Sequence, residues 1–251
     1  NEAGKSDWIQ RSELVDSRED VTCVAFAPPH SGLLLAMGSA NGGVRVYEAT
    51  DLMSLTNWQI VGEFESVAKG GCGCTCLAWS PSPFDLPLLA VGGSEGRTVR
   101  IIERREQLSR WDVIGILEGH RDSVLDVAWS PNVGRSYQLL STASKDGTAR
   151  IWKVYPRGAP ASAPPPAAAS SSSSPSFFYE SIDLGPQQSE VWSVEWNVTG
   201  TALSCSCDDG TVRIWRSNTR GAWELFSVVC QAQAQQQLMP NYKNETNPKT
   251  T

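Results

Sequence analysis

Histidine is almost missing from this chain: of 251 residues, two are histidine, His30 and His120. A nucleophilic Ser-His-Asp or Cys-His centre needs a base within hydrogen-bond reach of the nucleophile, and so few imidazoles leave little to build one from. Charge is sparse as well, at 19 % Asp, Glu, Lys and Arg with a net charge of −6, so the strong basic field that nucleic-acid binding relies on is lacking. No apolar run approaches the roughly 20 residues of a membrane-spanning helix, and no membrane insertion is expected. The chain does not open on Met, so the lack of a secretory signal excludes little. Seven cysteines are too few for a disulfide-dense scaffold, and an intracellular, reducing compartment is the simpler reading. No Gly-rich loop opens a helix, which removes phosphate cradling. The expectation is a protein with no catalytic residues, no cofactor and no small-molecule substrate.

What is abundant is repetition. Val44-Arg45-Val46-Tyr47, Val99-Arg100-Ile101-Ile102, Ala149-Arg150-Ile151-Trp152 and Val212-Arg213-Ile214-Trp215 recur at intervals of 50 to 63 residues. That is the period, slightly long, of a four-stranded propeller blade. A first strand precedes each: Val21–Phe26, Cys74–Trp79, Val124–Trp129 and Val191–Trp196. Second strands are predicted at 33–39, 88–94, 139–144 and 202–207. They lead into Asn41-Gly42, Gly96-Arg97, Asp146-Gly147 and Asp209-Gly210. Asn-Gly and Asp-Gly supply the positive φ that a tight hairpin demands, whereas Gly96-Arg97 departs from the pattern and could form a different turn.

Outer strands carry an aromatic residue and, six positions on, a bulky apolar one: Trp8/Leu14, Trp58/Phe64, Trp111/Leu117, Phe178/Leu184 and Trp223/Val229. Five outer strands stand against four inner sets. The sequence therefore predicts an all-β propeller with blades at about 20–65, 74–118, 122–185 and 190–230, preceded by an orphan outer strand at 8–15. Such an array would be open, or part of a larger ring, and the expectation is a chain incomplete at its N-terminus. A closed ring of four blades is the alternative. Two segments leave the repeat: a Pro/Ala/Ser-rich loop at 157–176, inside the third blade, and a Gln/Asn/Thr-rich tail at 231–251, both expected to be disordered.

Cys72-Gly73-Cys74-Thr75-Cys76 resembles half of a zinc site, but the second ligand couple is missing. Cys74 and Cys76 hold the register of Val21 and Cys23, and Cys205 and Cys207 that of Thr142 and Ser144, so small core residues explain them and no metal is expected. His30 sits in a Pro-Pro-His-Ser-Gly turn, a solvated position. Asp208-Asp209 lies at a hairpin, where a carboxylate caps backbone amides. His120, following Gly119, occupies the Gly-His position of WD-repeat sequences. There it resembles the histidine that joins Asp146, a strand hydroxyl (Ser144 or Thr142) and Trp152 in a buried hydrogen-bond network. The other blades, the last with Asp209 and Trp215 included, lack the histidine, so at most one such network is complete. The expected role of all six, His120, Ser144, Asp146, Trp152, Asp209 and Trp215, is structural.

Particular stretches narrow the resemblance. Leu14-Val-Asp-Ser-Arg18, Val21-Thr-Cys-Val-Ala-Phe-Ala-Pro28, Val44-Arg-Val-Tyr-Glu-Ala49, Asp51-Leu-Met-Ser-Leu55, Pro131-Asn-Val-Gly-Arg-Ser136, Val191 through Thr201 and Asp208 through Trp215 together resemble the Seh-type WD-repeat nucleoporins. The resemblance implies a non-enzymatic, six-bladed propeller left open, completed by a blade inserted from an α-solenoid nucleoporin. It implies membership of the Y-shaped scaffold complex at the nuclear pore and nuclear envelope. It further implies a nutrient-signalling complex that relays amino-acid sufficiency to TOR kinase at the lysosomal or vacuolar membrane surface. The competing expectation is another WD-repeat adaptor, such as a vesicle-coat subunit or a ubiquitin-ligase substrate receptor.

Overall fold

In the computed structural model, residues 9–66, 73–83, 87–94, 96–105, 110–132, 134–155 and 178–230 are described. The expected loop at 157–176 and tail at 231–251 lie outside them, as do Trp8 and Cys72. The described residues form four antiparallel sheets of four strands each, with strands in sequence order within every sheet. Blade one comprises β1 (Val21–Phe26), β2 (Leu34–Ser39), β3 (Gly43–Ala49) and β4 (Trp58–Glu65). Blade two comprises β5 (Cys74–Trp79), β6 (Leu88–Gly93), β7 (Thr98–Arg105) and β8 (Arg110–Glu118). Blade three holds β9 (Val124–Trp129), β10 (Gln138–Ser144), β11 (Thr148–Tyr155) and β12 (Phe178–Pro186), and blade four β13 (Val191–Trp196), β14 (Ala202–Cys207), β15 (Thr211–Ser217) and β16 (Trp223–Cys230). The described residues thus form an open β-propeller arc.

Neighbouring blades touch through their innermost strands, β1 against β5, β5 against β9 and β9 against β13. Cores lie between blades rather than within them, because a single sheet has two faces and buries neither alone. Leu34, Ala36, Val44, Val46, Cys74, Trp79, Leu89, Val91 and Ile102 fill the first junction. Cys76, Ala90, Val99, Ile101, Val124, Val127, Trp129, Leu140 and Trp152 fill the second. Leu139, Ala143, Ala149, Ile151, Val191, Val194, Leu203 and Cys205 fill the third.

The hairpin turns follow their chemistry. Gly42, Gly147 and Gly210 have φ of +86°, +75° and +73°. Blade two keeps the same left-handed geometry with a non-glycine residue: Arg97 takes φ +52°. At this position the left-handed φ is kept, and the non-glycine residue bears the strain. Residues 9–15, the described part of the expected outer strand at 8–15, make no strand ladder. They run beside the start of β4, where the Ser12 hydroxyl donates to the Thr56 carbonyl at 3.4 Å. The segment meets the start of β4 through this side-chain bond and joins no described strand in a backbone ladder.

Candidate interaction surface

A single set of contacts repeats at each blade junction. Trp79, Trp129 and Trp196 close the inner strands of blades two, three and four. Their indole N–H groups donate to Ala25, Ala78 and Ala128 carbonyls of the preceding blade, at 2.9, 3.1 and 3.0 Å. In the forward direction, the Thr22 hydroxyl donates to the Cys74 carbonyl and the Thr75 hydroxyl to the Val124 carbonyl, each at 2.5 Å. The third junction replaces that threonine bond with a carboxylate: Asp126 accepts from the Ser193 hydroxyl at 2.7 Å and the Val194 amide at 2.9 Å. Sequence reasoning passed over Asp126. The available signal was an acidic residue at the inner-strand register where blades one and two carry Cys23 and Cys76.

At the two ends of the arc the same positions are bare. Val24 is 63 % exposed and Phe26 62 %, whereas Val127 and Trp129, at the matching register of blade three, are 4 % and 7 % exposed. Val21 is likewise exposed while Val124 and Val191 are fully buried. On blade four, Trp192 occupies the register from which Thr22 and Thr75 reach forward; half exposed, it turns its indole N–H to Asp208 at 3.0 Å. Leu225, Phe226, Val228 and Val229 of β16 are exposed too. Isolated apolar surface residues are ordinary, but a row at junction register marks a face shaped to be covered.

His120 reads differently. Its side chain is 1 % exposed. Nε2 lies 2.6 Å from the Thr142 hydroxyl, which also accepts the Trp152 indole N–H at 2.9 Å. Nδ1 lies 3.3 Å from Asp146 and 3.2 Å from the Thr148 hydroxyl. Asp146 in turn accepts from the Arg121 amide at 2.7 Å and from the Thr148 amide and hydroxyl at 2.9 and 2.6 Å. Burial alone would raise the Asp146 carboxyl's pKa, but bonds from His120, Arg121 and Thr148 outweigh it and hold that pKa well below the ordinary value. Of the two hydroxyls the sequence left open, Thr142 joins the network. Ser144 instead donates to the Asp122 and Ser123 carbonyls at 3.3 and 2.9 Å and accepts from the Asp146 amide. Thr148 was missed, although Asp-Gly-Thr recurs at Asp209-Gly210-Thr211 and was the available clue.

In blade four the Asp209 turn is the same, accepting from the Thr211 amide and hydroxyl at 2.9 and 2.6 Å. Gln187 stands where blade three has His120, however, and Cys205 where it has Thr142. The Trp215 indole N–H is consequently buried without a partner. The structure therefore brings His120, Asp146 and Trp152 together, leaves Ser144 beside them, and does not link Asp209 to Trp215.

Other candidate groups are dispersed. His30 is exposed in a short 3-10 turn, Pro29–Ser31. Three of the four strand arginines meet their own blade's acids, Arg45–Glu63 at 2.8 Å, Arg150–Asp183 at 2.8 Å and Arg213–Asp209 at 3.2 Å, while Arg100 donates to the Glu65 carbonyl of blade one at 3.2 Å. Pairs as exposed as these contribute little to stability. Cys74, Cys76, Cys205 and Cys207 are buried, and among the described residues no group of three or more His, Cys, Asp or Glu is arranged to hold a metal ion. The apolar side chains exposed at the ends of the arc, Val21, Val24, Phe26 and Trp192 among them, suit protein contact.

Comparison with known proteins agrees with this geometry. The family model described as WD domain, G-beta repeat matches residues 111–153 and 181–216. Nucleoporin SEH1-A of Xenopus laevis is 38 % identical over 233 residues, covering 90 % of this chain and 61 % of the relative. Nucleoporin SEH1 of Osmerus mordax is 37 % identical over 233 residues, covering 90 % and 60 %. Nucleoporin SEH1 of Homo sapiens is 37 % identical over 235 residues, covering 90 % and 61 %. The chain spans about three-fifths of the length of the curated relatives it matches.

Proposed function

We propose, for a chain that belongs to the WD-repeat proteins of the Seh type, a non-enzymatic scaffold role at the nuclear pore. The observation that carries the reading is the bare junction register at both ends of the arc, Val21, Val24 and Phe26 on one side and Trp192 on the other. A blade supplied by further chain or by a partner would bury these residues. Backbone pairing and apolar burial together would then supply the affinity, the mode of β-strand addition. In the finer reading, an α-solenoid nucleoporin of the Y-shaped complex supplies that blade, and the protein works at the nuclear envelope. A second assembly, relaying amino-acid sufficiency to TOR kinase from the lysosomal or vacuolar surface, uses the same scaffold. The structural role of His120, Asp146, Thr142 and Trp152 is to fix the third blade so that the arc presents its ends in register. Relatives named as nucleoporins support the pore assignment; the end faces support assembly as the activity.

The test is affinity purification of the tagged endogenous protein under gentle conditions, read by mass spectrometry. Recovery of α-solenoid nucleoporins with other Y-complex subunits supports the pore role, and recovery of nutrient-signalling subunits supports the second assembly. Recovery of vesicle-coat or ubiquitin-ligase subunits in their place overturns both.

A further inference from the structure

Two thiols face each other where blades one and two meet. Cys23 on β1 and Cys74 on β5 lie 51 residues apart in sequence, and their sulfurs are 3.6 Å apart. Both rest in a notch above Gly38: a Cβ at that position would stand 2.5 Å from the Cys74 sulfur and 2.7 Å from the Cys23 sulfur. Glycine on β2 therefore makes the space that the two sulfurs share. Cys76 differs, because its sulfur fills a separate notch at Gly92, where a Cβ would meet it at 2.4 Å.

The pair is also asymmetric. Cys74 is buried, while Cys23 is partly open to solvent. The hydrogen bond from Cys74 favours the Cys23 thiolate, and that same bond, with burial, holds Cys74 protonated. The accessible sulfur is thus the one disposed to react, and its neighbour is placed to resolve it.

We propose that Cys23 and Cys74 form a peroxide-responsive dithiol that closes into a reversible disulfide between blades one and two. The Cys23 thiolate attacks the O–O bond of hydrogen peroxide, giving a Cys23 sulfenic acid and releasing hydroxide, which takes up a proton to become water. The Cys74 sulfur then attacks the Cys23 sulfur, displacing the hydroxyl, which leaves as a second water carrying the Cys74 proton. Two thiols are oxidised and one peroxide is reduced to two waters. The new bond ties β1 to β5 at the exposed end of the arc. A small thiol such as dithiothreitol or glutathione reopens it by exchange.

The test uses the full chain, reduced, exposed to hydrogen peroxide, then denatured with N-ethylmaleimide and mapped by peptide mass spectrometry. The expected result is loss of two alkylatable thiols and one crosslinked pair joining the Cys23 and Cys74 peptides, reversed by dithiothreitol. Cys76→Ser should leave the crosslink in place and Cys23→Ser should abolish it. A crosslink of Cys23 to Cys72 or Cys76 overturns the proposal, as does irreversible Cys23 sulfinic acid with Cys74 still alkylatable. The wild-type map decides the question even if Cys23→Ser fails to fold.

Discussion

The first blade and the third place matching inner-strand registers in opposite surroundings. In blade three, Val127 and Trp129 are shut in the core against blade two, and the indole N–H is bonded to Ala78. In blade one, Val24 and Phe26 hold those registers with no described strand against their face. The hydrogen-bond network divides the same way. Blade three has His120, Asp146, Thr142 and Trp152 joined, whereas blade one has Asn41 accepting from Ser39 and the Gly43 amide, with Tyr47 at the tryptophan's register. In a repeat array, then, the energetic weight of a residue is set by its neighbouring blade more than by its own sheet.

The sharpest way to break that contrast is a pair of truncations. Trp129→Ala should cost about 3–5 kcal/mol through cavity formation and a lost indole bond. Phe26→Ala should cost about 1 kcal/mol, since its ring is solvated and meets Trp58 at 6.5 Å between centroids. Urea unfolding of both variants measures the difference, and equal losses would mean blade one's outer face is covered after all.

Next in size, His120→Ala should lower stability by about 1–3 kcal/mol by removing one buried partner each from Asp146 and Thr142, which keep their other bonds. Partner recovery should be unchanged among molecules that stay folded. Lost binding at undiminished thermal stability would transfer His120 from the framework to the interaction surface.

The network also predicts an acid limb. Asp146 has a depressed folded pKa, so its contribution is complete above its unfolded pKa of about 3.9 and fades as pH falls through the lower folded value. Unfolding free energy should therefore decline below about pH 4, and Asp146→Asn should flatten that decline while lowering stability at neutral pH. An identical acid limb in the variant would place the titrating group elsewhere.

The smallest expected effect is a gain. Arg97 holds a left-handed conformation that glycine occupies in the other three turns. Arg97→Gly should stabilise by about 0.5–1 kcal/mol, the relief of strain exceeding glycine's extra unfolded-state entropy. A loss in thermal unfolding would mean the Arg97 side chain contributes more than its backbone costs.

Much of the architecture was legible because local chemistry repeats. The four inner strands begin and end where the alternating runs do, at Val21–Phe26, Cys74–Trp79, Val124–Trp129 and Val191–Trp196. The network was legible only in part. Trp152 pairs across the ladder with Leu140, so its indole reaches the diagonal neighbour Thr142; Ser144 lies two residues farther on, past the irregular register between Ala143 and Ser144. Alternation puts both hydroxyls on one face, and only the reach of the ring separates them. Asp126 was hidden for a related reason, since its partners lie 67 and 68 residues away on another blade.

Period, hairpin glycines and aromatic spacing are short-range facts, and by themselves they determined that this chain forms four antiparallel blades in order. Which apolar residues are spared from water, which hydroxyl joins His120, and that Cys23 meets Cys74 over Gly38 were decided only when blade packed on blade. Those outcomes depend on distances between segments some fifty residues apart, which no local pattern encodes.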